Sequence, residues 1–331
     1  MSATINDIAA RCGVPAMTVR RILASRAADI SEETRAAVLA AAGDGQCDRR
    51  PYNLALLFQD ENTLGLTHPF FGAVLNAFKR EAEIQGCDVT FINQSEGGRE
   101  FSSLDRCRLR NVDGVCMVCL DFRAASTVQV ARSGIPCVTI DHIFEGIPAV
   151  LSDNESGVRM LVDHAFSMGH NRIAFIHGHN NSLVTRTRID QFSRAIAAHG
   201  IHPRQEYLCS GMYGDVALTH DLVTELLNLP EPPTCILLPD DTAYFGALEA
   251  AMNLELRIPS DISFAGYDGT ALTQALRPRL TTIRQKSDEL GQTAARRLLE
   301  LIEHPETVSP APVWIPVELL PGGTVGWCEQ Y

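Results

Sequence analysis

The sequence GHNRIAFIHG, residues 169–178, contains the structural unit that recurs through most of this chain. Its apolar run, RIAFIH, is short and uninterrupted, and a longer amphipathic segment lies on either side of it, at 155–168 and 185–198. A short continuous apolar strand between two helices is typical of a parallel sheet whose faces are both covered. The spacing therefore predicts a strand at 172–177 with a helix on each side.

The same alternation extends in both directions from this unit. Amphipathic segments at 71–85 and 242–254 predict two more helices. The strands they would separate are too numerous for one compact open sheet, and the alternation breaks near 147–152. Further apolar runs predict strands at 52–58, 88–93, 113–119, 136–140, 233–238, 261–267 and 280–283.

We therefore predict an α/β fold with two lobes of parallel sheet and a cleft between them. A last helix at 287–303, followed by the run VWIPVEL, indicates that the chain crosses between the lobes again near its end. The first lobe is predicted to comprise about 52–150 and 286–311, and the second about 151–285 and 312–331. Residues 1–50 form a separate N-terminal module, and the polar stretch 43–51 is its linker to the lobes.

Carboxylates follow several of the predicted strands directly. In open parallel sheets, ligands bind at the carboxyl ends of the strands. Ionised carboxylates are pure hydrogen-bond acceptors, so a group of them suits a ligand rich in hydroxyl groups. The alternative for each is an aspartate that caps the next helix. The strand-end carboxylates are Asp121, Asp141, Asp240, Asp241 and Asp268.

Other candidates for the cleft supply donors and flat faces. Arg186 and Arg188, at the start of the helix after RIAFIH, present fork-shaped donors. Phe70, Phe71 and Tyr213 offer aromatic faces on which a sugar ring could lie. Together with the carboxylates they predict a binding site for a small polar molecule.

The N-terminal stretch TINDIAARCGVPAMTVRRIL, residues 4–23, has the spacing of two short helices around a turn at Gly13. Two such helices describe a helix-turn-helix, whose second helix enters the major groove of DNA. A third helix over 31–42 would close the small core with Val38 and Leu39. The apolar stripe of the second helix would turn the remaining residues outward together, namely Ala16, Met17, Arg20 and Arg21.

The charge distribution favours DNA binding by this module alone. Residues 1–50 contain seven Arg against six Asp plus Glu, a net of +1, so the rest of a chain with total charge −12 carries −13. DNA phosphates repel so acidic a body, and any DNA contact must therefore be concentrated in the N-terminal module. The other interpretation is an ordinary helical hairpin whose arginines are merely solvated, since periodicity does not identify a function.

The composition and motifs of the chain argue against a membrane protein, a secreted protein, a metal site and several enzyme classes. No run approaches the ~20 apolar residues of a membrane span, and no secretory signal is recognisable, so a cytoplasmic protein is expected. The CxxC pair Cys116 and Cys119 has no second pair or nearby histidines to complete a metal site. No GxGxxG, GxSxG or GxxxxGK[ST] motif follows a predicted strand. We therefore predict no enzyme activity, cofactor or metal. The enzymatic alternative is hydrolysis of a glycoside by a pair of acidic side chains in the cleft.

The chain resembles the LacI/GalR family of bacterial transcription regulators over nearly its whole length. The resemblance implies a helix-turn-helix headpiece, a periplasmic-binding-protein-like pair of lobes and a homodimer that binds operator DNA. It also implies a repressor controlled by a small effector, usually a sugar. The motifs that carry it are TINDIAARCGVPAMTVRRIL with SEETRAAV, HPFFGAV, DGV, GHNRIAFIHG, VTRTRIDQF, PDDTAYFGAL, RIPSDISFAGYD and RPRLTTIRQ.

The resemblance also assigns residues to each ligand. Base contacts would come from Ala16, Met17 and Arg21, and phosphate contacts from Thr4, Thr18 and Arg20. Effector contacts would come from positions that match the family's motifs in both lobes. These positions are Phe70, Phe71, Asp121, Asp141, Arg188, Tyr213, Asp240, Asp268 and Gln285.

Two departures from the family pattern lie near the DNA-binding module. Pro15 stands where the family usually has a serine that caps the recognition helix. The family's hinge helix, PxxxAxxL, is missing, because the linker GDGQCDRRP at 43–51 is shorter and contains no such pattern. The missing hinge and the small basic excess of residues 1–50 favour an alternative, a cytosolic carbohydrate-binding sensor with a degenerate headpiece, whereas the intact helix periodicity and the pair Arg20 and Arg21 oppose it. Salt-dependent binding of labelled DNA would distinguish the two.

Overall fold

The computed structural model describes residues 5–23, 30–42, 51–59, 65–92, 95–96, 99–100, 102–179 and 182–328. Its helices are α1 (Ile5–Cys12), α2 (Ala16–Leu23), α3 (Glu32–Ala42), α4 (Pro69–Ile84), α5 (Ser103–Leu109), α6 (Ala125–Ala131), α7 (Asn154–Ser167), α8 (Leu183–Ala198), α9 (Val216–Leu227), α10 (Tyr244–Asn253), α11 (Ala271–Ala275) and α12 (Ser287–Glu303). Its strands are β1 (Asn53–Phe58), β2 (Asp88–Phe91), β3 (Ser95–Glu96), β4 (Arg99–Glu100), β5 (Gly114–Val118), β6 (Cys137–Ile140), β7 (Ala149–Ser152), β8 (Ile173–His177), β9 (Leu208–Ser210), β10 (Cys235–Leu237), β11 (Ser263–Asp268), β12 (Thr281–Arg284), β13 (Val313–Ile315) and β14 (Glu318–Leu320).

The N-terminal module consists of the three predicted helices. Ile8 of α1, Val19 and Ile22 of α2, and Val38 of α3 are fully buried against one another. Leu39 is a correction to the sequence prediction, since its side chain is 45% exposed. Successive helix residues point about 100° apart, so α3 cannot direct both Val38 and Leu39 into so small a core.

The first lobe is a six-stranded parallel sheet in the order β13-β7-β6-β5-β1-β2. Alternate strand residues pack against different helices, as the period of two in a strand requires. Leu54 and Leu56 of β1 face α4 and α12, whereas Ala55 and Leu57 face α5 and α6. The near-continuous apolar strands are thus buried on both faces, as predicted.

The second lobe repeats this plan in the order β14-β12-β11-β10-β8-β9. Its strands are parallel except β14, which pairs antiparallel with β12. Helices α7 and α8 cover one face, and α9 and α10 cover the other. The GHNRIAFIHG unit supplies β8, which lies between β10 and β9.

The chain passes between the lobes three times, after β7, after β12 and after β13. The run VWIPVEL is not one strand of the second lobe, as the sequence division at 311/312 assumed. Val313–Ile315 pairs with β7 in the first sheet, and Glu318–Leu320 pairs with β12 in the second. Pro316 lies between them, and its missing N–H and fixed φ suit a break in strand pairing.

Candidate functional site

A cavity of about 230 Å³ lies between the lobes, at the carboxyl ends of both sheets. The two parallel sheets direct their strand ends to it, which is where doubly wound folds bind ligands. All nine residues predicted to contact an effector line this cavity, namely Phe70, Phe71, Asp121, Asp141, Arg188, Tyr213, Asp240, Asp268 and Gln285.

Arg188, from α8, is a deeply enclosed charge of the cavity wall, at 4% exposed. Its Nε donates to Asn154 Oδ1 at 2.7 Å and its NH1 to the Pro239 carbonyl at 3.0 Å. Its guanidinium carbon lies 3.5 Å from the centroid of the Tyr267 ring. Burial opposes its charge, but the surrounding tyrosines and aspartates raise the pKa of Arg188 above its ordinary value. The guanidinium is therefore charged and fixed before any ligand arrives.

Asp268 and Gln285 form a hydrogen-bonded pair beside Arg188. Gln285 Nε2 donates to Asp268 Oδ1 at 2.7 Å, while Gln285 Oε1 is buried and accepts no hydrogen bond from the described residues. Asp268 has φ of +112°, a region that non-glycine residues rarely adopt and that is typical of functional sites. Burial, and then the nearby charges of Asp240 and Asp241, raise the pKa of Asp268 well above its ordinary value.

Asp141 supplies a second unsatisfied acceptor, from the first lobe. It follows β6 with φ of +59°, and its Oδ1 is buried without a hydrogen-bond partner among the described residues. Burial raises the pKa of Asp141 to about 6, although the charge of Arg188 opposes this shift. A buried unpaired acceptor costs free energy, so Asp141 and Gln285 favour a ligand that carries hydrogen-bond donors.

Asp240 and Asp241 have different roles, although both follow β10. Asp240 lines the cavity, but its oxygens accept from the backbone N–H of Gly214 at 2.5 Å and of Ala243 at 2.8 Å. Asp241 does not line the cavity, which corrects the prediction that five strand-end carboxylates face it. It is fully buried and accepts hydrogen bonds from Thr270, Thr273 and Thr282 instead. Adjacent residues point in different directions, so only one of the pair reaches the cleft.

Asp121 and Arg186 are both exposed, but only Asp121 lines the cavity. Asp121 lines the cavity and is exposed, and its Oδ1 accepts from the backbone N–H of Arg123 at 2.9 Å. Arg186, predicted with Arg188 as a donor, is exposed on α8 and does not line the cavity. Two residues earlier on a helix, Arg186 is rotated about 200° from Arg188, to the opposite face.

Aromatic side chains cover the first-lobe wall. Phe70 and Phe71 begin α4, where His68 caps the helix by accepting from the Phe71 N–H at 3.3 Å. Phe122 and His142 are stacked, with centroids 4.1 Å apart. Burial, and then the charges of Arg186 and Arg123, lower the pKa of His142 to about 4. The ring is therefore neutral at pH 7 and presents an uncharged face.

Sequence reasoning assigned no histidine to this cavity. His68, His142 and His179 all line the cavity. Two signals could have indicated them, since His68 begins the HPFF motif and His142 directly follows the strand-end Asp141. His179 follows β8 in the same way. Within the described part of the chain, no three His, Cys, Asp or Glu side chains are arranged to hold a metal ion.

The residues predicted to contact DNA are less accessible than expected. Ala16, Met17, Thr18, Arg20 and Arg21 all lie on α2, and Thr4 and linker residues 43–50 lie outside the described residues. Met17 packs against the first-lobe core, and Arg20 NH1 forms an ion pair with Glu303 Oε1 at 2.6 Å. Met17 and Arg20 point away from the headpiece core, as predicted, but this outer face of α2 lies against the first lobe.

Comparisons with known proteins agree on one kind of molecule. Residues 162–325 match the family model of the periplasmic binding protein-like domain. The probable HTH-type transcriptional repressor ExuR of Bacillus subtilis is 27% identical over 316 residues, which cover 92% of this chain and 93% of that protein. The ribose operon repressor of Escherichia coli is 27% identical over 312 residues, covering 92% and 94%.

The structural comparison gives the same result. A putative transcriptional regulator LacI from Bacillus cereus subsp. cytotoxis superposes with a TM-score of 0.76 at 25% identity, covering 85% of this chain and 100% of that one.

No helix in the described ranges is long and apolar enough to cross a membrane.

Proposed function

We infer that this chain, which belongs to the LacI/GalR family of transcription regulators, is a DNA-binding repressor controlled by a small effector in the cavity between its lobes. It is a regulator and not an enzyme, as its relatives are. The observation that carries the assignment of the effector site is the pair of buried acceptors, Asp141 Oδ1 and Gln285 Oε1, on opposite sides of the cleft. A ligand that satisfies both must contact both lobes, so its binding favours one relative lobe position.

The chemistry of the cavity supports a neutral molecule with several hydroxyl groups, such as a sugar. Its unsatisfied groups are acceptors, and its aromatic wall offers faces to the apolar side of a ring. An anionic ligand fits less well, because the lining residues that the structure describes include two arginines, Arg123 and Arg188, against four carboxylates. Like charges brought together in a partly desolvated site repel strongly.

A thermal-shift screen against a panel of neutral sugars, sugar acids and sugar phosphates tests this proposal. A ligand at 100 times its dissociation constant adds about 2.7 kcal/mol to the stability of the folded protein. We expect stabilisation by a neutral member of the panel. Stabilisation by sugar phosphates alone would contradict the proposed ligand class.

The proposed DNA complex is that of a cytoplasmic homodimer, in which two copies of α2 read two half-sites of an operator. Two-fold related headpieces match a palindromic operator, which is the usual geometry of helix-turn-helix repressors. The alternative, a carbohydrate sensor with a degenerate headpiece, is favoured by the covered α2 and the short linker. Binding of mixed-sequence duplexes at several salt concentrations decides between them. A DNA-binding headpiece gives a steep loss of affinity with salt, whereas a degenerate one gives no binding.

The effector affinity should fall on acidification because of Asp141. Its pKa of about 6 means that Asp141 is ionised at pH 7.5 and mostly protonated at pH 5. An ionised Oδ1 accepts a ligand hydroxyl better than a carboxylic acid does, so affinity should drop roughly tenfold over this interval. Calorimetric titration at several pH values measures it, and Asp141→Asn should lose this part of the pH profile. An affinity that rises on acidification would indicate that the protonated form binds.

In the ligand-free protein, the contribution of Asp141 to the stability of the fold should change with pH in the opposite sense to the effector affinity. The pKa of Asp141 in the folded state lies above that of an exposed aspartate. Its contribution to stability is therefore fully present below pH ~4 and is lost as the pH rises through about 6. On acidification, effector affinity should fall while the contribution of Asp141 to stability rises. These opposite trends distinguish a loss of effector binding from a loss of the fold.

A further inference from the structure

The first lobe holds the DNA-reading helix through a compact set of contacts. Arg20 NH1 and Glu303 Oε1 lie 2.6 Å apart, and the two side chains are only 12% and 14% exposed. The guanidinium carbon of Arg20 lies 3.9 Å from the centroid of the Tyr52 ring. Met17, one turn earlier on α2, packs against the apolar core of the same lobe. An ion pair, a cation–π contact and an apolar contact thus converge on one face of α2.

The position of Glu303 points to a role in this contact. It is the last residue of α12, where the partial negative charge of the helix end disfavours a carboxylate. A cation from another element removes this disadvantage, and Arg20 supplies it. Tyr52 is held next to the first-lobe sheet, because the residue after it, Asn53, begins β1. Both partners of Arg20 are therefore held by rigid elements of the first lobe.

We propose that Tyr52 and Glu303 form a docking surface on the first lobe that binds the recognition helix α2 and competes with DNA for it. The inference rests on the proposed function, because it assumes that α2 is the DNA-reading helix. While Met17 and Arg20 lie against the first lobe, the face of α2 that carries them is not open to a DNA duplex. The docked headpiece is then a DNA-free state, and the apparent affinity for DNA is the intrinsic affinity reduced by the undocked fraction.

The docking surface and the effector cavity lie at the two ends of one helix. Gln285, which lines the cavity, lies two residues before the start of α12, and Glu303 ends this helix. Helix α12 packs directly on α4, since a Cβ at Gly291 would lie 2.2 Å from the Val74 carbonyl oxygen. Phe70 and Phe71, in the first turn of α4, line the same cavity. A ligand that shifts this helix pair therefore acts on the element that carries Glu303.

The test removes the docking contacts without touching α2. Glu303→Gln deletes the ion pair, and Tyr52→Leu deletes the cation–π contact without changing the net charge. Glu300→Gln, one turn earlier on the exposed side of α12, removes the same charge as a matched control. Two quantities are measured on the full chain without effector: hydrogen exchange of the α2 amides in the absence of DNA, and affinity for a random-sequence 30-base-pair duplex.

We expect both Glu303→Gln and Tyr52→Leu to speed exchange in α2 and to bind the duplex roughly threefold to tenfold more tightly than Glu300→Gln. Unchanged α2 exchange in both variants, with duplex affinity equal to that of Glu300→Gln, would overturn the docking proposal while leaving DNA binding intact. Faster α2 exchange with no duplex binding by any variant or by the wild type would support docking and overturn the proposed function. If Glu303→Gln does not fold, Tyr52→Leu alone decides.

Discussion

Replacing Arg188 with methionine is expected to lower effector affinity by about 2 to 5 kcal/mol, roughly 30-fold to several thousand-fold. Arg188 is buried, charged and aligned by Asn154 and the Pro239 carbonyl before a ligand binds. Methionine retains much of the volume next to the Tyr267 ring but supplies no donor, so the ligand loses a preorganised charged partner. Calorimetric titration with the sugar found in the thermal-shift screen measures the loss.

The matched control for this prediction is Arg186→Met. Arg186 lies on the same helix, carries the same charge, is exposed and does not line the cavity. Its replacement should change affinity by less than about twofold, because its charge is solvent-exposed and screened by salt and its side chain does not line the cavity. Melting curves of both variants establish that they are folded. If Arg188→Met, once shown to be folded, binds within about twofold of the wild type, Arg188 does not contact the effector.

The second large effect is expected in stability. Replacing Asp241 with alanine should lower the free energy of unfolding by about 3 to 5 kcal/mol, because it removes a buried carboxylate and leaves its donors unpaired. Those donors are the hydroxyls of Thr270, Thr273 and Thr282 and the backbone N–H of Thr270. Denaturant unfolding, monitored in the second lobe, measures the change.

Asp121→Ala is the control, since it also replaces an aspartate at a strand end. Asp121 is exposed, and its Oδ1 accepts from one backbone N–H, that of Arg123. Its loss should leave the midpoint of unfolding near that of the wild type. Equal stability of Asp241→Ala and Asp121→Ala would contradict the structural role of Asp241.

The sequence predicts most of the two-lobed core because its signals are local. An apolar run such as RIAFIH is too short for a helix and too continuous for a surface strand, so its burial between helices follows from the chain itself. The cavity follows from the same logic, because Asp141 and Asp268 stand directly after such runs. Parallel strands bring their carboxyl ends together without any knowledge of side-chain packing.

The features that the sequence does not predict depend on contacts between distant parts of the chain. Nothing near Asp241 distinguishes it from Asp240, and its role depends on threonines 29 to 41 residues away. Pro316 in VWIPVEL suits a break in strand pairing, but the sheet that each half joins depends on the distant strands β7 and β12. The burial of Arg20 depends on Glu303, at the other end of the chain. Helix periodicity identifies the outer face of α2 but not what covers it.

A ligand in the inter-lobe cavity is expected to control DNA binding by the headpiece. The most direct test is the affinity for an operator selected from randomised duplexes, measured with and without saturating effector, in the wild type and in Arg188→Met. Coupling between two sites typically changes affinity by about 5- to 150-fold. We expect a change in this range in the wild type, lost at the same effector concentration in Arg188→Met. Equal operator affinity of the wild type with and without effector would contradict the account.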